Sequence, residues 1–175
     1  SNIFGYATVT TKGQSRFSLS NTYFSPQNEW HLYSAISYTH FPFNFYGIGN
    51  NTRKADGELV DEKRFKLNFD GEKLITKNLY AGIVAGGFNY KYTNADPDSN
   101  FFETDPQVQY RTGGASVFVG PSLIYDSRNG NTYTTSGMGL TAYYNLMYGI
   151  LSNNGYTGGL FNIEYSQFFL ISKRL

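Results

Sequence analysis

Residues 115–149 read ASVFVGPSLIYDSRNGNTYTTSGMGLTAYYNLMYG. Two alternating stretches flank a polar turn. In the first, Ala115, Val117, Val119, Pro121, Leu123 and Tyr125 fall on one face, and Ser116, Phe118, Gly120, Ser122, Ile124 and Asp126 on the other. In the second, Met138, Leu140, Ala142, Tyr144, Leu146 and Tyr148 oppose Gly139, Thr141, Tyr143, Asn145 and Met147. Period-two alternation of this kind predicts two antiparallel strands, each with an apolar face and a mixed one. The first strand ends in Asp126-Ser127-Arg128. Two residues apart on extended backbone, Asp126 and Arg128 share the mixed face, where an ion pair can tie the turn down.

The same pattern runs along most of the chain, and helical periodicity is absent. Eight strands are predicted, at roughly 2–11, 15–25, 29–41, 63–76, 78–92, 113–127, 133–149 and 156–172. Several exceed the usual five or six residues of a globular strand, and lengths of ten or more suit tilted strands that cross a bilayer. Connections near 26–28, 77 and 128–132 are short and share one rim. The long connections, 42–62 and 93–112, share the other rim with short ones near 12–14 and 150–155. Short turns on one rim and long loops on the other are the habit of transmembrane barrels. Glycines inside strands (Gly82, Gly86, Gly87, Gly120, Gly139) suit a curving wall. Tyr90, Tyr92, Tyr125, Tyr148 and Tyr165, near strand ends, read as an aromatic girdle. The expected fold is therefore all-β, an antiparallel transmembrane β-barrel of about eight strands, with residues 1–175 as one domain. A soluble β-sandwich, which also alternates, is the competing architecture.

The totals narrow the function classes. A net charge of +1 argues against a nucleic-acid partner held by phosphate neutralisation. With no Cys there is neither a disulfide framework nor a thiolate metal site. Mean hydropathy is −0.41, and no apolar run is long enough for a transmembrane helix. Alternating strands hide from such averages. No signal peptide is visible at Ser1-Asn2-Ile3, so the sequence is expected to be a mature, processed form.

Two segments go further. FPFNFYGIGNNT, at 41–52, follows the third strand, and GPSLIYDSRNGNTYTTSG, at 120–137, joins the sixth and seventh. Both resemble the bacterial surface antigen family of outer-membrane barrels, the BamA/TamA superfamily, and most of all its short members. The second segment is similar to the family pattern D-S-R-D-N-P-x-x-P-T-x-G. Asp126, Ser127, Arg128, Thr135 and Gly137 match, while Asn129, Gly130, Asn131 and Thr134 depart. In the first, Tyr46, Gly47, Gly49, Asn50 and Asn51 carry the likeness. The family's barrel has sixteen strands, an Arg-Gly-aromatic segment and often periplasmic POTRA repeats. This sequence has eight predicted strands, no such segment and no POTRA repeat, and it ends at Leu175 rather than at an aromatic. The expectation is the first half of a longer barrel, with a closed eight-stranded barrel as the geometric alternative. The resemblance implies outer-membrane localisation and assistance to membrane insertion or translocation of polypeptides. It implies as partners outer-membrane lipid, lipopolysaccharide and unfolded outer-membrane protein clients, with no cofactor. The mechanism would be physical: a weak seam offers backbone hydrogen bonds to an incoming strand, with residues 2–11 as the edge.

A structural barrel without a client and a lipid-modifying enzyme are the alternatives. For catalysis, His31 and His40 lie on opposite faces of one strand, with Ser37 beside the first and Ser34 beside the second, and no orienting carboxylate stands out. No catalytic role is expected. Asp96, Asp98, Glu103 and Asp105 crowd one loop without an ordered calcium-ligand spacing, so no metal site is expected. Lys66, Asp70, Glu72 and Glu164 are expected to pair as ions on the mixed face. Arg53, Lys54, Lys63 and Arg64 border the first long loop, where they could meet lipopolysaccharide phosphates.

Overall fold

The computed structural model describes residues 1–50, 52–53, 57–96, 101–104, 106, 108, 113–130, 133–150 and 156–170. Eight strands form one antiparallel sheet in which each strand pairs with its neighbours in sequence. They are β1 (Asn2–Val9), β2 (Ser15–Phe24), β3 (Trp30–Phe45), β4 (Glu58–Thr76), β5 (Leu79–Asn94), β6 (Gly114–Asp126), β7 (Gly137–Ile150) and β8 (Gly158–Phe168). No pairing joins β1 to β8, so among the described residues the sheet is open and has two free edges. The all-β meander is as expected, but this chain does not close a barrel.

The strand ends differ from expectation mainly in β3 and β4, in β7, which starts at Gly137 rather than 133, and in β8, which ends at Phe168 rather than 172. The β3–β4 pairing runs from Trp30↔Lys73 out to Phe45↔Glu58, beyond the predicted ends at 41 and 63. Pro42 lies inside this extension, opposite Asp61. The β2 ladder stops at Ser15↔His40, so Pro42 has no partner strand on that side for its missing N–H to fail. A four-residue helix, α1 (Phe101–Thr104), lies in the β5–β6 connection. It is too short to leave a period in the sequence. Phe102 is buried there against Phe45 and Tyr92, and its N–H donates to Glu58 Oε2 at 2.6 Å.

The two faces of the sheet are inverted relative to a soluble protein. The buried face carries Thr39, Glu72, Ser116, Ser122 and Asn145 beside Val84 and Phe118. The opposite, outer face leaves Ile3 (70%), Phe69 (47%), Val119 (52%), Leu146 (58%) and Phe161 (64%) exposed. Its apolar band is bounded along the strands. On β3 it runs through Trp30, Leu32, Ser34, Ile36 and Tyr38, and then meets a charged cross-strand row, His40–Lys63–Lys91. At the other end Lys73 lies over the Trp30 ring, 5.6 Å from its centroid.

The inner face is concave. Side chains two strands apart meet across it: Ser122 on β6 donates to Glu72 on β4, and Lys66 on β4 lies 5.9 Å from the Phe118 ring on β6. Gly82 on β5 sits between Glu72 and Ser122 in the register. A Cβ there would lie 1.9 Å from the Gly71 carbonyl oxygen, so only glycine permits so close a crossing. The connections sort by rim only in part, since the β6–β7 connection spans 127–136 rather than the expected 128–132 and is longer than the β1–β2 connection on the opposite rim. The β2–β3, β4–β5 and β6–β7 turns share one rim, and the longer β3–β4 and β5–β6 loops share the other.

Candidate functional site

The Asp126–Gly137 turn is built almost wholly from its own residues. Arg128 grips the Asp126 carboxylate with two donors, Nε to Oδ1 at 2.9 Å and Nη2 to Oδ2 at 2.6 Å. The Arg128 backbone N–H donates to the same Oδ1 at 3.0 Å. The two side-chain hydrogen bonds to Asp126 raise the guanidinium's pKa above its ordinary value. Ser127 bridges the hairpin: its N–H donates to the Met138 carbonyl at 2.9 Å, and its Oγ accepts the Met138 N–H at 3.1 Å. Asn129 then holds the far side, its Oδ1 accepting from the N–H groups of Thr135 and Ser136. Gly137 has φ of 103°, and a Cβ on it would lie 2.3 Å from the Ser127 oxygen. The closing glycine and the Asp-Ser-Arg triplet therefore touch, which is the physical reason for their spacing. Asp126 N–H also donates to the Asn78 carbonyl at 2.8 Å, tying this turn to the neighbouring one.

The other predicted segment lies on the opposite rim. Tyr46, Gly47, Gly49 and Asn50 open the loop after β3, and Asn51 lies outside the described residues. Gly47 and Gly49 take φ of 96° and 105°, a left-handed backbone that favours glycine. The structure does not bring the two segments together, since β6 ends at the rim from which β3 starts.

The inner face holds a polar cluster that the sequence reading missed. His31 Nδ1 lies 2.8 Å from Glu72 Oε2, and Ser122 Oγ donates to Glu72 Oε1 at 2.8 Å. Glu72 is only 1% exposed. The expectation that His31 lacks an orienting carboxylate is thus corrected, because β3–β4 pairing sets Glu72 directly opposite it. The signal was available: residues 31 and 72 are mirror positions about the centre of the loop joining those strands. The order of the groups matters for chemistry. The carboxylate sits between His31 and Ser122, so the serine hydroxyl spends its proton on Glu72 and no imidazole is placed to take it.

Other assignments change as well. Tyr90 and Tyr92 face the concave side with Arg64 and Glu62, not an outer girdle. Tyr125, Tyr148 and Tyr165 do lie on the outer face. Lys66, Asp70, Glu72 and Glu164 share the inner face, but no ion pair among them is formed; Asp70 instead accepts from Asn68 at 2.6 Å. Lys63 and Arg64 lie within β4 on opposite faces. Arg53 is exposed, and Lys54 lies outside the described residues. So do Asp98, Asp105 and the Glu103 side chain; among the described residues no group of carboxylates or histidines could hold a metal ion.

The third functional feature is the free edge. β1, NIFGYATV, is exposed along its whole length and carries no charge and no proline. Natural sheets blunt such edges with lysine, proline or a bulge, because unpaired N–H and C=O groups template another strand. Here nothing does.

No family model, curated protein or solved structure matches the chain.

Proposed function

We propose that this chain is membrane-spanning wall of a bacterial outer-membrane β-barrel, and that its β1 edge pairs with strands of incoming outer-membrane proteins, as in BamA/TamA-type insertases. The observation that carries the reading is the unprotected β1 edge bordering an exposed apolar face. Water leaves such a face and edge unstable, whereas lipid satisfies the face and a pairing strand satisfies the edge. The dimensions fit. From Trp30 to Tyr38 the apolar outer face of β3 advances about 26 Å along the strand, or about 20 Å once tilted by about 40°, and the bounding row at His40 brings the span to about 25 Å, near the height of a barrel's apolar band. A charged row closes that band on one side and Trp30 with Lys73 on the other. The likeness of the 41–52 and 120–137 segments points to the same family.

The test uses the absence of native cysteine. A single cysteine replacing Ala7 (Ala7→Cys) should form a disulfide with a cysteine in the last strand of an unfolded outer-membrane client when both meet in liposomes. The client should also fold faster, read by its shift in gel mobility. No cross-link and no acceleration would refute the edge-templating role.

A structural wall without a client is the second reading. It is favoured by the antiparallel senses of β1 and β8, which allow the two free edges to meet. It predicts a cross-link between cysteines at Ala7 and Ile163 that client does not displace.

A further inference from the structure

The concave face carries a cavity of about 670 Å³ toward the long-loop rim, bordered on one side by Tyr6 of β1 and lying at the rim opposite the Asp126 turn. Its chemistry is uneven. Arg16 from β2 and Arg64 and Lys66 from β4 all line it, against one carboxylate, Glu62. Glu62 lies 3.4 Å from Arg64. Arg16 makes no ion pair among the described residues. The register explains the convergence. Arg16 pairs with Thr39, and Thr39 with Arg64, so the two guanidinium groups flank Thr39 on the same face. Their strands lie about 10 Å apart, a gap that two long arginine side chains can close around one tetrahedral anion. Lys66 follows one inner-face position along β4, beside the Ser37 hydroxyl.

A wall of rings stands next to these cations. Phe88, Tyr90 and Tyr92 succeed one another along β5, with ring centroids 5.9 and 5.7 Å apart. Each is cross-strand from a charged residue: Lys66, Arg64 and Glu62 respectively. Cations alone would recognise any phosphate. Cations beside an aromatic ladder recognise a phosphate attached to something with an apolar face and hydroxyl edges, and a sugar ring has both.

We propose that this cavity binds a phosphorylated sugar, with phosphate held by Arg16, Arg64 and Lys66 and the ring laid against Tyr90 and Tyr92. The inference does not depend on the insertase reading, because it rests on the inner face alone. The same chemistry is carried by a soluble sugar phosphate and by the headgroup of a phosphorylated glycolipid.

The test is titration of the full chain in detergent micelles with glucose 1-phosphate, glucose and inorganic phosphate, read by calorimetry. Saturable binding of glucose 1-phosphate, tighter than either fragment and weakened by salt, is expected. Arg16→Gln and Lys66→Gln should each weaken it about tenfold or more, the size of a charge-assisted contact. Glu62→Gln should tighten it, since it removes the one carboxylate that lines the cavity among the described residues and frees Arg64; a misfolded variant cannot produce that sign. A parallel arm with vesicles containing phosphorylated glycolipid separates the sources. Glycolipid displacing glucose 1-phosphate assigns the site to a headgroup, and failure to displace assigns it to the soluble ligand. Equal affinity for inorganic phosphate and glucose 1-phosphate, no saturable binding, or a Glu62→Gln variant that binds no tighter would overturn the proposal.

Discussion

Single residues decide the turns and the inner face. Gly137 occupies a left-handed backbone position with no space for a side chain, so Gly137→Ala should cost about 1–3 kcal/mol from backbone strain alone, before the clash with Ser127 is counted. Arg128→Ala should cost less, roughly 1 kcal/mol, because its ion pair is part-exposed although bidentate. Denaturant midpoints in micelles check the order of the two. On the inner face, Glu72→Ala leaves both His31 and Ser122 without their partner and should cost about 1–3 kcal/mol, more than Ser122→Ala. An equal loss from the two variants would show that the cluster is not organised by its carboxylate. The Asp126–Arg128 pair could be read from sequence because its partners are two residues apart. Glu72 could not be read in isolation, since its two partners are 41 and 50 residues away and become neighbours only through register.

At the scale of strands, alternation carried the prediction and local chemistry limited it. All eight strands were legible, because each alternates two unlike faces, although β1 and the far end of β3 carry aromatic residues on the inner face as well. The ends were not. Pro42 and the charged stretch Glu58–Glu62 look like loop, yet they pair, because the outer part of the β3–β4 hairpin extends past the end of β2. This makes a direct contrast. Pro42→Ala should change stability by no more than about 0.5 kcal/mol. Ala35→Pro, placed where β3 is paired to both Ser20 and Asn68, should cost about 3 kcal/mol or more. Unfolding measurements that found the two equally harmful would contradict the assigned ends. The same alternation could not say that Tyr90 and Tyr92 face inward, since residues near strand ends have polar neighbours on both sides.

For the whole molecule, the inverted faces are the central observation: a buried face of hydroxyls, amides and a carboxylate behind an exposed face of Ile, Leu, Val and Phe. Sequence alternation showed that two unlike faces exist. Which one is covered depends on curl, which rests on close approaches such as that at Gly82 and is not visible along one strand. If the outer face meets lipid, Leu67→Lys should destabilise the bilayer-inserted protein by about 2–4 kcal/mol, while Asn68→Lys, one residue on but facing inward, should cost far less. The most direct test is a cysteine scan of Val117–Leu123 on β6 in liposomes, with a water-soluble maleimide as reagent. The account predicts strict alternation: protection at 117, 119, 121 and 123, and labelling at 118 and 122 once the chain is opened by mild denaturant but not at the odd positions; Gly120 is left unreplaced, since a Cβ there would lie 1.6 Å from the Tyr144 carbonyl oxygen. Ready labelling of the odd positions in the native protein, together with monodisperse solubility in the absence of detergent, would mean that the apolar face is turned to water or to another protein, and would contradict the membrane-wall account.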